Sequence, residues 1–252
     1  MGFGLLAVVG TMVLMAIQSA VEDVPEPGED VIRDDDTIAG SRGDDVIDGS
    51  NAAEVILPHY GNDVVRAGGG NDTISDHPWD REVQQGKGGW INPDFGNDTL
   101  SGGAGDDRIF ATGGANVVSG DGGDDSISTV DLHPGTPFAP DDASGGAGDD
   151  WLVGDDGDTL TGGAGVDFFT NIHDAEDDAP VVITDIEPDE TVEILIYDPT
   201  LLDADGAVPS PEWRDEDRGA VLTLAGRDTV VFSHALARDL AGNVRVLVAR
   251  SA

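Results

Sequence analysis

The stretch GGAGDDRIF ATGGANVVS, residues 102–119, contains the pattern that decides the fold. It divides into two segments of nine residues, in which glycines come early, an acid or amide stands sixth and an apolar residue stands eighth. The same register recurs in blocks of five, four and three repeats, at residues 31–75, 93–128 and 145–170, with the middle repeat of the last block one residue short. A fixed short period of this kind is typical of a solenoid, in which successive repeats stack on one another.

Two positions of the repeat keep their chemical character throughout. The eighth position is apolar in every repeat: Ile38, Ile47, Ile56, Val65, Ile74, Leu100, Ile109, Val118, Ile127, Leu152, Leu160 and Phe169. The sixth position is an acid or an amide in every repeat: Asp36, Asp45, Glu54, Asp63, Asp72, Asp98, Asp107, Asn116, Asp125, Asp150, Asp158 and Asp167. A low-complexity acidic tract would not keep an apolar residue in phase across two interruptions.

The period also predicts how the chain coils. Alternate residues of a strand face opposite sides, so the last three positions are predicted to form a short strand whose middle side chain points inward. A six-residue turn and a three-residue strand make half a coil, and two repeats make one full coil. Turns from repeats i and i+2 should therefore stack on the same side.

The residue types at the turns indicate calcium. Calcium takes six to eight oxygen ligands from carboxylates and carbonyls, and glycine allows the backbone to turn with positive φ and to bring its carbonyls close to an ion. The predicted ligands are the sixth-position side chains given above and the backbone of the fourth-position glycines: Gly43, Gly61, Gly70, Gly96, Gly105, Gly123, Gly148 and Gly165. Glu54 is longer and Asn116 is neutral, so their repeats are expected to bind weakly or only to hold the stack together.

The repeats resemble the RTX, or haemolysin-type, calcium-binding repeat, G-G-x-G-x-D-x-U-x. The segments that carry the resemblance are GGGNDTIS (68–75), FGNDTLS (95–101), GGAGDDRIF (102–110), GDGGDDSIS (120–128), GGAGDDWLV (145–153) and GGAGVDFFT (162–170). The resemblance covers residues 31–170 and implies an all-β fold, a right-handed parallel β-roll. It also implies several calcium ions along both turn edges, with the sixth-position Asp as ligand. The opening repeat VIRDDDTIA (31–39) lacks the glycines, and the coil around Asp158 is shortened.

The charge of the chain agrees with a metal-dependent fold. The formal net charge is -39, from 51 acidic and 12 basic residues. Without calcium, the aligned carboxylates would repel each other around a thin core, and the chain is expected to resemble a disordered acidic tract. Calcium binding and folding should then be one event. Such acidity argues against a nucleic-acid partner, which needs a basic surface.

Two insertions, residues 76–92 and 129–144, interrupt the repeats. Insertions in solenoids form loops, often on the binding face, so Trp79, Trp90 and Phe138 are candidate contacts with another membrane or surface protein. In the alternative interpretation, these rings fold back and cover apolar surface of the roll. The pairs His77-Pro78 and His133-Pro134 are explained by turn formation before proline.

The N-terminal segment predicts a membrane partner. Residues 2–21 carry no charge, and about 20 residues suffice to span a bilayer. A cleaved signal peptide would need a basic start and a small-residue cleavage site, so we predict a retained anchor at residues 1–21, followed by an acidic linker at 22–30. The acidic domain is then expected on the periplasmic or extracellular side. The alternative is a secreted protein.

The last 80 residues change character. Apolar or alternating runs at 181–186, 191–197, 220–225, 228–233 and 244–249 predict a small antiparallel β cap over residues 171–252. Six arginines lie there, and we expect them to pair with acids of the cap, the alternative being contact with an anionic partner: Arg214, Arg218, Arg227, Arg238, Arg245 and Arg250. The segment VVITDIEPDETVEIL (181–195) resembles the sequence that follows such repeats in bacterial proteins exported by type I systems.

No catalytic motif is found in the sequence. HExxH, G-x-S-x-G, P-loop and cysteine nucleophile patterns are all missing. We therefore predict a non-enzymatic structural or interaction module, anchored by one helix and acting as an accessory subunit of a membrane complex. The first alternative is a calcium-folded extracellular protein secreted by a type I system. The second is a small enzyme within the C-terminal cap.

Overall fold

The computed structural model describes the chain from residue 32 to residue 248, with gaps. The described residues are 32–34, 36–41, 43–76, 96–131, 139–155, 157–173, 179–197, 201–202, 207, 210–217, 219–235, 237–240 and 242–248. The predicted anchor (2–21) and linker (22–30) lie outside them, as do His77, Trp79, Trp90, His133 and Phe138. Within the described residues, no helix has the length and apolar character needed to cross a membrane.

The described chain consists almost entirely of short strands, with one helical turn, α1 (Ala237–Leu240). The strands are β1 (Ile32–Asp34), β2 (Thr37–Ala39), β3 (Val46–Asp48), β4 (Val55–Leu57), β5 (Val64–Gly69), β6 (Thr73–Ser75), β7 (Thr99–Ala104), β8 (Arg108–Phe110), β9 (Val117–Gly122), β10 (Ser126–Ser128), β11 (Asp142–Ala147), β12 (Trp151–Gly154), β13 (Thr159–Ala164), β14 (Phe168–His173), β15 (Val181–Ile183), β16 (Thr191–Ile196), β17 (Glu212–Glu216), β18 (Gly219–Leu224), β19 (Arg227–Ser233) and β20 (Val244–Val248).

Successive strands of the repeat region alternate between two sheets. Sheet 1 has the order β1-β2-β4-β6-β8-β10-β12-β14-β16-β20, and sheet 2 has the order β17-β18-β19-β15-β13-β11-β9-β7-β5-β3. Strands of repeats i and i+2 pair in parallel, as Thr37 with Val55 in sheet 1 and Val46 with Val64 in sheet 2. Two repeats thus form one coil, as predicted, and the fold is all-β with the parallel sheets expected of a β-roll.

The eighth-position side chains form the core between the sheets. All twelve predicted residues are buried, from Ile38 at 4% exposure to Phe169 at 0%. Each apolar residue stacks on its counterpart in the next coil, as Ile74 on Ile109 and Ile109 on Ile127. Each repeat therefore contributes one large side chain to the interior, so the core is only one side chain deep from each sheet.

The second insertion is shorter than predicted. Residues 142–144 belong to β11 and continue the ladder, because Asp142 pairs with Val117 and Ala143 with Val118. The segment TPFAPDDAS (136–144) is thus in register, with Asp141 in the sixth position and Ala143, 1% exposed, in the eighth. The glycine pattern does not reveal this repeat, because it lacks glycine altogether.

The two ends of the repeat region also differ from expectation. In the described residues of 31–39, β1 turns back on β2 as an antiparallel hairpin, with Ile32 opposite Ala39, whereas β2 itself pairs in parallel with β4 as part of the roll. At the other end, β15 and β16 continue the parallel ladder beyond Thr170, and β19 and β20 add to it in parallel. Antiparallel pairing is found only among β17, β18 and β19 in this part of the described chain.

Arginines of the C-terminal region pair locally, in agreement with the sequence interpretation. Arg214 contacts Glu216 and Asp228, each at 2.9 Å, and Arg245 lies 3.6 Å from Glu193. These groups are largely exposed, so each pair contributes little to stability.

The thin core makes each eighth-position residue sensitive to truncation. Ile109→Ala should lower the free energy of unfolding by about 2–5 kcal/mol, since a buried aliphatic side chain is lost and a cavity remains. Denaturant unfolding in saturating calcium measures this loss. Arg108→Ala, at the exposed neighbouring position, is the control and should change stability by less than about 0.5 kcal/mol. Equal losses in the two variants would contradict the proposed core.

Candidate metal centres

The turns between the sheets form two edges of the roll. Turns that lead from sheet 2 to sheet 1 are called the glycine edge; they comprise residues 49–54, 67–72, 102–107, 120–125, 145–150, 162–167 and 185–190. Turns that lead from sheet 1 to sheet 2 are called the insertion edge; they comprise residues 40–45, 58–63, 76–98, 111–116, 129–141, 154–158 and 171–181. Predicted ligands lie on both edges.

The two edges differ in how far their turns vary in length. From β3 to β16, every crossing of the glycine edge advances nine residues between equivalent strand positions, from Val46 to Val55 at one end and from Val182 to Thr191 at the other. Crossings of the insertion edge range from eight residues, Trp151 to Thr159, to 26 residues, Thr73 to Thr99. Both insertions and the shortened repeat therefore lie on one edge.

From Asp63 to Asp167, one oxygen of each sixth-position carboxylate joins neighbouring coils. The backbone N–H of Asp107 donates to Asp125 Oδ1 at 2.8 Å, that of Asp125 to Asp150 Oδ1 at 2.8 Å, and that of Asp150 to Asp167 Oδ1 at 2.9 Å. The same bond recurs on the insertion edge, where Asp141 N–H donates to Asp158 Oδ1 at 2.9 Å. The carboxylates are therefore built into the stack.

The two edges differ in the hydrogen bonding of the second carboxylate oxygen, Oδ2. On the glycine edge, Oδ2 is buried and has no hydrogen-bond partner at five sixth positions in consecutive coils: Asp72, Asp107, Asp125, Asp150 and Asp167. These residues are at most 2% exposed. A buried carboxylate oxygen without a partner is costly, so this position requires a proton or a cation. The row of oxygens fits the hard-cation preference of calcium.

Glycines allow this arrangement at two positions of the turn. A Cβ on the first-position Gly102 or Gly120 would clash with the carboxylate of Asp107 or Asp125 in the same turn. At the fourth position, Gly105, Gly123 and Gly148 have φ of +130°, +137° and +141°, and a Cβ there would meet the fourth-position carbonyl oxygen of the preceding coil. The glycines thus bring backbone carbonyls of adjacent coils together at the level of the carboxylates.

Burial raises the pKa of the carboxyls on the glycine edge. The pKa of Asp125 is raised to about 7, and those of Asp107 and Asp150 to about 6, although a backbone N–H donated to each lowers the value. Repulsion between neighbouring carboxylates adds to the increase. Asp72 and Asp167 shift in the same direction for the same first cause, burial. Without a cation, these groups therefore retain protons well above the usual range of an aspartate.

On the insertion edge, donors of the chain itself reach several second oxygens. Asp45 Oδ2 accepts the N–H of Ser41 at 2.6 Å. Asp158 Oδ2 accepts the hydroxyl of Thr129 at 2.8 Å and the N–H of Asp155 at 3.1 Å.

The neutral Asn116 on the same edge is also engaged. Its Oδ1 accepts the N–H of Asp98 at 2.9 Å, and its amide donates to the carbonyl of Gly113 at 3.3 Å. The side chain is 1% exposed, so these bonds satisfy a buried amide. The repeat ATGGANVVS thus holds the stack together through hydrogen bonds, as its sequence suggested.

Two acids of the insertion edge, Asp63 and Asp141, keep an unpartnered Oδ2. Burial raises their pKa values to about 8 and about 10, further than on the glycine edge. For Asp141, repulsion from Asp158 is the next cause. Burial therefore favours the protonated form of both carboxyls when no cation is bound. Asp141 is an acid that the glycine pattern did not reveal. It is nevertheless the sixth of the nine residues that precede Gly145, so extending the register backwards would have found it.

Other predicted ligands lie at the ends of the edges. Asp36 is exposed in the hairpin turn between β1 and β2, outside the parallel ladder. Glu54 Oε2 accepts the N–H of Ser50 at 3.0 Å, and the Ser50 hydroxyl bonds to Oε1, so this first turn of the glycine edge is satisfied by the chain itself. Glu190 occupies the sixth position of the last turn, beyond the predicted repeats, and accepts the N–H of Glu187 at 2.6 Å.

The predicted glycines divide between the edges in the same way as the acids. Gly70, Gly105, Gly123, Gly148 and Gly165 lie on the glycine edge, and Gly43, Gly61 and Gly96 on the insertion edge. Among the described residues, no three acidic or histidine side chains converge on one point. A complete ion site must therefore combine carboxylates with backbone carbonyls, the ligand mixture that calcium uses.

The turn geometry agrees with a comparison against known families. The family of the RTX calcium-binding nonapeptide repeat matches the chain in four copies, at residues 33–57, 60–75, 94–127 and 140–169. The repeat region matches the RTX family. RTX repeats bind calcium, and calcium is a cation that suits the buried carboxylate oxygens of the glycine edge. A comparison with curated proteins finds no match for the chain.

The raised pKa values predict an inverted pH dependence for the calcium-free RTX region. Because the folded-state pKa of Asp107, Asp125 and Asp150 lies above the ordinary aspartate value of 3.8, the folded state binds more protons than the unfolded state between about pH 4 and pH 7. In chelator, stability should therefore be greatest near pH 4 and should fall as pH rises towards 7. Circular dichroism across this range measures it. A calcium-free protein that gains structure as pH rises would contradict the assignment.

Proposed function

We propose that this protein is an extracytoplasmic calcium-folded β-roll that acts as a structural or protein-interaction module. The observation that carries the proposal is the row of buried, unpartnered carboxylate oxygens from Asp72 to Asp167. Calcium supplies the charge that these oxygens need and joins adjacent coils. A chain with net charge -39 and a core one side chain deep then becomes a stable scaffold.

We further propose that residues 2–21 anchor the scaffold in a membrane, with the acidic domain on the calcium-rich periplasmic or extracellular side. The support is the length and uncharged character of this segment. The partner we propose is another membrane or surface protein, contacted through the insertions, so that the chain serves as an accessory subunit. No catalytic role is proposed.

A type I-secreted extracellular protein is the second candidate. The resemblance of residues 181–195 to the sequence that follows repeats in exported proteins favours it. These residues include β15 and β16, which extend the parallel ladder. A segment that carried an export signal would then also complete the roll after export.

Removal of calcium should unfold the repeat region at neutral pH. With excess chelator, the β-sheet circular dichroism signal should be lost, and it should return when calcium is added back in excess. The physical reason is repulsion among buried carboxylates that have neither a proton nor a cation. Magnesium at the same concentration is the control and should restore less signal, since it prefers a rigid octahedral site with several waters. A spectrum that does not change in chelator would falsify calcium-dependent folding.

Cell fractionation with intact-mass measurement tests the anchor. We expect the full-length chain in the membrane fraction, with residues 1–21 retained, because an uncharged segment of this length partitions into the bilayer. A variant that lacks residues 2–21 is the control and should be soluble. Recovery of the intact chain from the culture medium would instead support type I secretion.

A further inference from the structure

The sixth-position carboxylates on the two edges of the roll can be compared directly, because both edges are built from the same nine-residue repeat pattern. Asp125 on the glycine edge and Asp158 on the insertion edge form a matched pair. Both occupy the sixth position, both are at most 2% exposed, and the Oδ1 of each accepts a backbone N–H from the preceding coil, at 2.8 and 2.9 Å. They differ in what surrounds the second oxygen.

At Asp158 the chain provides the partners itself. The Thr129 hydroxyl and the Asp155 N–H both donate to Oδ2, and Thr129 comes from the neighbouring coil, so the bond joins the coils as an ion would. At Asp125 the same oxygen is buried and has no partner among the described residues. The shortened repeat around Asp158 brings Asp155 to within three residues of it.

Hydrogen bonds also take the place of an ion at other turns of the insertion edge. The Ser41 N–H donates to the second oxygen of Asp45, and Asn116 presents an amide that is already bonded to the Gly113 carbonyl. At Asn116 the atom that replaces the second carboxylate oxygen is therefore an N–H donor, which cannot coordinate a cation. Asp45, Asn116 and Asp158 thus each lie in a turn where hydrogen bonds within the chain satisfy the side-chain atom that a cation would otherwise contact.

The lengths of the turns support the same distinction. An ion bound by six to eight oxygens at 2.3–2.6 Å requires the same backbone course in each coil, and every crossing of the glycine edge from β3 to β16 covers nine residues. Hydrogen bonds between individual side chains place fewer demands on the rest of the turn. Accordingly, the crossings of the insertion edge range from eight residues to 26.

We propose that calcium occupies the four gaps between consecutive turns of the glycine edge from Asp72 to Asp167, and that at Asp45, Asn116 and Asp158 donors of the chain itself replace the ion. The proposal rests on the proposed calcium-dependent folding and adds which edge holds the ions. It departs from the expectation of ions along both edges. At these three turns the insertion edge is then held together by hydrogen bonds of the chain rather than by an ion.

The number of bound ions tests the proposal. Equilibrium dialysis against radioactive calcium should find about four ions per wild-type chain, one for each gap. Asp125→Asn should reduce the number to about two, because its turn borders two of the gaps. Asp158→Asn and Asp45→Asn should leave the number unchanged. Loss of ions from the Asp158→Asn or Asp45→Asn variant, or full retention in Asp125→Asn, would overturn the assignment.

A second measurement covers the case in which a variant folds poorly. The slope of the unfolding temperature against the logarithm of free calcium reports how many ions folding takes up. Asp125→Asn should reduce this slope, whereas Asp158→Asn should lower the unfolding temperature at every calcium concentration and leave the slope as in the wild type. Reduced slopes in both variants would overturn the one-edge assignment alone. A wild-type chain that binds no calcium would overturn the proposed function as well.

Discussion

The bond from the sixth-position carboxylate to the neighbouring backbone N–H is the interaction on which the rest of the roll depends. It fixes one oxygen of each carboxylate between coils, as in the bond from the Asp107 N–H to Asp125. The other oxygen is thereby buried, and it must receive a cation, a proton or a hydrogen-bond donor. This requirement explains the first-position glycines, which make room for the carboxylate, and the strong acidity of a chain whose core is thin.

The core and the edges contribute differently to the stability of this fold. The eighth-position side chains give the two sheets a dry interior, but a single buried residue such as Ile109 cannot by itself fix the conformation of a nine-residue repeat against its conformational entropy. Ladder hydrogen bonds and the ligands of the turns must order the remaining residues. The edges therefore determine whether the roll is folded, and the core determines which way each strand faces.

Much of the fold could be predicted from the sequence because the period is short and local. Apolar residues every nine positions gave the strands, and half a coil per repeat gave the pairing of i with i+2. The coil that contains Asp141 escaped prediction, since it lacks the glycines by which repeats are recognised. The opening repeat was recognised, but its first strand turns back on the second as a hairpin, which the nine-residue period does not show. The difference in hydrogen bonding between the two edges could not be predicted from the sequence, for another reason. Thr129 and Asp158 are 29 residues apart, and only the stacked coils bring them together.

Sorting alternate repeats onto opposite edges separates two demands that would otherwise conflict. A turn that binds calcium must keep its length, whereas a turn that carries an insertion must change it. With the ions on one edge, selection for calcium binding constrains only every second turn, and the others are free to lengthen. The chain follows this division, since the crossings from β6 to β7, from β10 to β11 and from β14 to β15, which all exceed nine residues, belong to the insertion edge.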